Sequence, residues 1–262
     1  MDLQLRDKVA LVTAASRGLG LAAATELARE GARVAIASRG PELEAAAEKI
    51  RQEAGSAVLA VRADLNQAAD IQHLVDRTLS ELGRIDILIL NAAGPRPGPF
   101  LELSPEDWEM GFQTIVMSAV RLCYAVVPHM LRRGSGSIVA SQSYVVRHPS
   151  RSLHISNSLR LAVLGLMKSL ADDLGPKGIR VNAINPGWTR TDRVEEIMVD
   201  RARRNGTTVE DELARTLAEV PLGRIAEVEE YGRAVAWLAS PAASYLHGQA
   251  LQFDGGISRS PL

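Results

Sequence analysis

The sequence predicts an α/β protein, a doubly wound parallel sheet of about seven strands folded as a single domain, and three observations carry that expectation. Short apolar, β-rich runs alternate with longer segments of helical period from one end of the chain to the other. The short runs, such as Ile87-Leu88-Ile89-Leu90, are nearly continuous in apolar residues, which implies burial on both faces and hence a sheet covered by helices on each side. The length, 262 residues of which 46% are hydrophobic, lies within the roughly 250–300 residues that one core supports.

Taken in order, Val9-Ala10-Leu11-Val12 reads as a first buried strand, followed by a helix from about Leu21 to Glu30 that Gly31 terminates. Arg33 to Ser38 is the second strand, Pro41 opens a helix through Ala54, Val58 to Val61 is the third strand, Ala68 to Leu82 a helix, and Ile85 to Leu90 the fourth strand. Longer helices follow: Pro105 to about Arg133, then strand Ser137 to Ser141, a helix from about Ser152 to Leu174, and strand Ile179 to Asn185. From Trp188 to about Val220 the chain is polar and helical and breaks at Asn205-Gly206, so it reads as a flap leaving the sheet. Its run Arg201-Ala202-Arg203-Arg204 is read as a solvated helix face. Glu227 to Ala239 is a further helix and Ala250 to Phe253 the last strand. With no linker or repeat in between, the domain is expected to span residues 1–262, with the flap at about 188–220.

Composition narrows the function. Thirty Lys+Arg against 31 Asp+Glu give a net charge of −1 and no basic stripe, so nucleic acid is not an expected partner. Short apolar runs and the charged start Met1 to Lys8 argue against membrane insertion and secretion, which makes the cytoplasm the expected location. The single cysteine, Cys123, rules out an intrachain disulfide and a cysteine-cluster metal site. In an apolar helical stretch it is expected to be a small buried hydrophobe, and no metal site is expected.

Between the first strand and first helix lies Thr13-Ala14-Ala15-Ser16-Arg17-Gly18-Leu19-Gly20. A glycine-bearing turn at the carboxyl end of a parallel strand suits a dinucleotide pyrophosphate: the helix start offers unpaired N–H groups, and glycine lets the backbone approach the phosphates. The residues after the second strand ordinarily choose the cofactor, an acidic one favouring NAD and a basic one the 2′-phosphate of NADP. Here they are Ser38-Arg39, and Arg17 adds a second guanidinium within the glycine turn, so NADP(H) is preferred over NAD(H).

With these residues and those that follow, the chain resembles the short-chain dehydrogenase/reductase family over essentially its whole length. The family's Thr-Gly-x-x-x-Gly-x-Gly stands as Thr13 to Gly20, with Ala14 in place of the first glycine. Asp64-Leu65 matches the pair beside adenine, and Asn91-Ala92-Ala93-Gly94 matches Asn-Asn-Ala-Gly. Pro186-Gly187 with Thr189 and Thr191 matches the loop at the nicotinamide end, and Asp254-Gly255-Gly256 the C-terminal signature. The resemblance implies a Rossmann-type fold, a nicotinamide dinucleotide laid across the sheet on Thr13, Ser16, Arg17, Gly18, Leu19, Gly20, Ser38, Arg39, Asp64, Leu65, Asn91, Ala92, Gly94, Arg160, Pro186, Gly187, Thr189 and Thr191, and a homo-oligomer, tetramer or dimer, formed through the long fourth and fifth helices.

The catalytic end departs from the family. Ser143 matches the serine that holds the substrate carbonyl, but the Tyr-x-x-x-Lys motif reads Ser156-Asn157-Ser158-Leu159-Arg160, and the helix asparagine aligns with Ile115. A phenol of pKa about 10 is pulled towards neutrality by an adjacent ammonium, whereas an aliphatic hydroxyl is far too weak an acid for that work. Arg160 keeps the cation and cannot relay a proton. Tyr144, His148 and His154 are the candidate replacement acids, with His154 chemically the best and, two residues from Ser156 on a helix, on a different face. The pattern resembles a divergent branch described as like 3-oxoacyl-(acyl-carrier-protein) reductases, with Arg132, Arg133, Arg147 and Arg151 read as solvated surface rather than a carrier-docking patch.

The expected function is reduction of a small-molecule carbonyl, or oxidation of the alcohol, using Ser143, Ser156 and Arg160. The competing reading is a catalytically silent NADP(H)-binding sensor or scaffold. The loop Pro95-Arg96-Pro97-Gly98-Pro99-Phe100 and the flap would set the substrate, with Trp188 either lining the cleft or packed beneath the flap.

Overall fold

The computed structural model describes residues 1–259, in which seven parallel strands are ordered β3-β2-β1-β4-β5-β6-β7. They are β1 (Val9–Thr13), β2 (Arg33–Ser38), β3 (Val58–Arg62), β4 (Ile87–Leu90), β5 (Gly136–Ser141), β6 (Ile179–Pro186) and β7 (Ala250–Phe253). Leu11 on β1 pairs in register with Ala35 on β2 and Leu88 on β4. The two-residue period of a strand then divides the core between the faces. Val9, Leu11, Leu88, Ile138 and Val181 point into one layer, and Ala10, Val12, Ile89, Val139 and Ile184 into the other.

The first layer is closed by α3 (Ala68–Leu82), α5 (Ser118–Arg133) and α6 (His154–Leu174), the second by α1 (Gly18–Arg29), α2 (Leu43–Ala54) and α9 (Val228–Ala239). Because β1 sends its connection one way and β4 the other, the strand order reverses between them and opens a crevice at their carboxyl ends.

The predicted elements are all present, with shifts at their ends. Helix α1 begins at Gly18 rather than Leu21, taking both glycines into its first turn, while α2 begins after Pro41, at Leu43. Strand β4 starts at Ile87 because Asp86 is occupied elsewhere: it accepts from Val9 N at 2.8 Å and pairs with Arg84 and Arg133. The expected helix from Pro105 is opened by a box in which Asp107 N donates to Ser104 Oγ and Ser104 N to Asp107 Oδ2. It runs as α4 (Pro105–Phe112), then a π-helical turn over Gln113–Met117, then α5.

The whole span Pro105–Arg133 is long and apolar enough to cross a membrane by composition. Its apolar face is spent on the core instead, through Ile115, Ala119, Leu122, Cys123, Val126 and Met130. Cys123 is buried, as expected, and burial pushes its thiol up to about 12.

The segment after β6 leaves the sheet as α7 (Asp192–Asn205) and α8 (Val209–Glu219), separated at Gly206. Ile197 and Met198 pack there with Trp188, Tyr144, Val220 and Ile257 in a third apolar cluster. The arginine run of α7 is only in part a solvated face. Arg203 is exposed, but Arg201 lies 5.0 Å over the Trp188 ring, and Arg204 pairs with Asp200 and Glu102.

Candidate active site

The crevice at the carboxyl ends of β1 and β4 is a groove of about 660 Å³. Its first wall is the glycine turn, where Ala14 holds φ +49° and Gly18 φ +56°. A Cβ on Gly20 would stand 2.3 Å from Ala14 O and 2.7 Å from Asn91 Nδ2, so only glycine lets α1 start this close to the strand. Thr13 Oγ1 donates to Asn91 O at 2.7 Å and accepts from Asn91 N at 3.1 Å, tying β1 to β4. Thr13 and Gly20 therefore shape the wall from behind, while Ser16, Arg17, Gly18 and Leu19 line it.

At the outer end lie Ser38, Arg39, Asp64 and Leu65. The two arginines do not converge freely on one point, as the sequence suggested. Arg39 stands 3.8 Å from Asp64, and Arg17 is 3.1 Å from Asp192 on the flap. Beside them the buried Ser38 Oγ has no hydrogen-bond partner among the described residues. Opposite, Asn91, Ala92, Gly94, Pro186, Gly187, Thr189 and Thr191 form the second wall. Thr191 brings its methyl 3.4 Å from where a Gly18 Cβ would be. A glycine cradle at a helix start, two cations and an unpartnered buried hydroxyl fit a dinucleotide bearing a phosphate on its adenosine ribose.

The inner end is built on α6. Arg160, 8% exposed, donates from Nε to Ser156 Oγ at 3.0 Å, one turn earlier, and from Nη1 to Ser141 O at 3.3 Å. Tyr231, from α9 on the far face of the sheet, donates its hydroxyl to Ser141 Oγ at 2.7 Å. No carboxylate pairs with Arg160 among the described residues, and burial, with Arg193 nearby, lowers its guanidinium to about 10. Ser143 lies where β5 ends, its Oγ accepting from Val145 N at 3.4 Å. Gln142 Oε1 beside it is buried without a partner among the described residues. Ile115 is buried within the π-helical turn.

None of the expected replacement acids meets Ser156. Tyr144 is packed between Trp188 and His148, with ring centroids 5.9 Å and 6.2 Å away, and burial pushes its phenol up to about 12. His154 sets Nδ1 against Gly98 O at 3.2 Å and faces Phe100. Trp188 answers both expectations at once: it is buried under the flap and also lines the groove. No cluster of three or more metal-ligating side chains occurs among the described residues.

The family model described as "Enoyl-(Acyl carrier protein) reductase" matches residues 13–258. The chain belongs to the short-chain dehydrogenase/reductase family. It is 36% identical over 256 residues to oxidoreductase UcpA of Salmonella typhimurium, covering 97% of this chain and 95% of that one. It is 31% identical to the 3-oxoacyl-[acyl-carrier-protein] reductase FabG of Escherichia coli, over 97% and 99% of the two chains. The L-sorbose reductase of Gluconobacter frateurii, solved with NADPH and L-sorbose, superposes with a TM-score of 0.93 at 32% identity, covering 99% of this chain and all of that one.

Within this short-chain dehydrogenase/reductase, sequence reasoning missed three groups of the inner end: Ser141, Tyr231 and Arg193. Tyr231 is remote in the chain and carries no motif. Arg193 could have been suspected only from its place two residues after Thr191. It donates from Nη2 to Pro95 O, tying the flap to the loop after β4.

Proposed function

We propose that the protein is an NADP(H)-dependent carbonyl reductase, or alcohol dehydrogenase in reverse, in which Ser156 and Arg160 replace the family's tyrosine and lysine. The hydrogen bond from Arg160 Nε to Ser156 Oγ carries this reading. Because that oxygen accepts from a cation, its own O–H is left free to donate, polarised, into the groove. Ser143 and Ser156 would hold the carbonyl oxygen of the substrate, and the fixed charge of Arg160 would stabilise the developing oxyanion. A bound nicotinamide supplies the hydride. Neither Arg160 nor Tyr144 releases a proton at neutral pH, so the proton reaches the product oxygen from water.

Arg17, Arg39 and Ser38 would meet the 2′-phosphate, Gly18 and Leu19 the pyrophosphate, Asp64 and Leu65 the adenine, and Pro186, Gly187, Thr189 and Thr191 the nicotinamide end. The NADPH in the sorbose reductase complex supports the cofactor choice. The flap, α7 and α8, would cover the substrate. We also propose self-association through α5 and α6, which expose Tyr124, Leu131 and Leu161, and a cytoplasmic location. The test is NADPH consumption over a panel of ketones and oxoacyl thioesters. Turnover lost in Ser143→Ala supports the reductase, whereas NADPH binding with no turnover above the solvent background on any substrate overturns it in favour of a silent sensor.

A further inference from the structure

Resting on the reductase reading, the charges at the inner end narrow the substrate. The groove there is walled by Tyr144, Leu153, Trp188, Val194 and Ile197, all apolar or aromatic. The same groove is lined by two arginines, Arg160 and Arg193, of which Arg193 pairs at 3.1 Å with the half-exposed Glu196, one turn further along α7. Arg160 is unusual among the buried groups of this protein. Arg180, the other deeply set arginine, is wrapped by the carbonyls of Leu238, Ala239, Ser240, Ala243 and Leu246. Among the described residues Arg160 has one carbonyl and one hydroxyl, and no carboxylate.

A cation taken out of water is costly unless paired, and the cost grows when a second cation stands near it. Arg193 lines the same groove as Arg160, and its charge adds to the burial that lowers the Arg160 guanidinium. Arg193 itself is held across the mouth of the groove by Pro95 O, lying over Gly94, where any Cβ would strike its Nε at 2.8 Å. Two cations held at the end of an apolar pocket are a receptor for an anion.

We propose that the substrate is a carboxylate-bearing carbonyl compound, an oxo acid with an apolar body, whose carboxylate is met by Arg193 and Arg160 while its ketone lies against Ser143 and Ser156. The apolar wall takes the body, Arg193 supplies a planar fork for the carboxylate, and the negative charge relieves the repulsion between the two guanidiniums. A neutral ketone or thioester gains the first of these and neither of the others.

Calorimetric titration of the full-length protein saturated with NADP+ tests this with 2-oxooctanoate and 4-oxooctanoate as probes, each against its methyl ester. The proposal expects at least one acid to bind about 10-fold or more tighter than its ester, as a charge-assisted pair implies. It also expects the preference to shrink towards unity in Arg193→Gln and to return in part in Arg193→Lys. Retained NADP+ affinity shows that these variants are folded. Equal binding of acid and ester, a preference untouched by Arg193→Gln, or no binding of either acid overturns the oxo-acid assignment. Because NADP+ binding and turnover of neutral ketones are read separately, the reductase reading stands or falls independently.

Discussion

Arg160 and Ser156 are joined across one turn of α6, with Nε donating to Oγ at 3.0 Å. In the proposed mechanism the cation-to-hydroxyl relationship of a catalytic tyrosine and lysine would persist with both chemistries changed. The serine is too weak an acid to give up its proton, and the arginine too strong a base to lend one. On that reading polarisation would survive and proton relay would not.

Restoring the pair tests that division of labour. In the double variant Ser156→Tyr with Arg160→Lys, an ammonium beside a phenol brings a proton donor within reach, and general acid catalysis contributes roughly 10²-fold or more. Steady-state kinetics on any ketone turned over should show kcat rising. An unchanged kcat would mean that proton delivery does not limit the reaction.

The pH profile follows from the same geometry. With water as the proton source, kcat/KM should stay flat from about pH 7 to about pH 9. An inflection in that range would contradict water as the proton source.

Arg160 also costs the fold stability. Its guanidinium is lowered from the ordinary arginine value to about 10, so the folded state disfavours its charge. Between those values the unfolded chain binds more protons and stability rises with pH, and below about 10 the full cost is present. Arg160→Met should therefore raise stability at neutral pH by about 1 kcal/mol or more, less what is lost with the bonds to Ser156 and Ser141. Denaturant unfolding reads the change, and turnover should disappear in the same variant.

Ala14 sits at φ +49°, where a Cβ is strained and the family carries glycine. Ala14→Gly should stabilise the protein by about 0.5–1 kcal/mol, the strain relieved exceeding the added flexibility of the unfolded chain. Thermal melts of the two proteins decide it.

At the outer end, Arg39→Ala should weaken NADPH binding by roughly 10- to 100-fold with little effect on NADH, the measure of a lost charge-assisted bond to phosphate. Asp192→Asn releases Arg17 from its 3.1 Å ion pair. That pair is exposed and weak, so the gain in NADPH affinity should be only a few-fold and should fade with salt.

Far from the groove, hydrogen bonds from Arg224 and from the Glu227 backbone hold the Glu230 carboxyl down at about 2. Its stabilising effect is present above the usual 4.5 and lost as pH falls towards about 2. The stability gap between wild type and Glu230→Gln should close over that interval.

The sheet was readable because strands buried on both faces leave an unbroken apolar signature, as in Val9 to Val12 and Ile87 to Leu90. Helix starts were not: Gly18 and Gly20 look like turn residues until the close packing of Gly20 against Ala14 and Asn91 shows why both lie in the first turn of the helix. Motifs local in sequence placed nearly all of the groove, including the Ser156 and Arg160 substitution. What escaped were contacts made by topology. Tyr231 reaches Ser141 from 90 residues away and across the sheet, and Arg193 is brought over Gly94 by the fold of the flap. No spacing rule encodes either one.

The cofactor site is tested most directly by fluorescence titration of the purified protein with NADPH and NADH. Saturable NADPH binding, about 10-fold or more tighter than NADH, is the predicted result. Failure to bind either dinucleotide would contradict the NADP(H) assignment, leaving the glycine turn, Arg17 and Arg39 as inheritance of the fold without its chemistry.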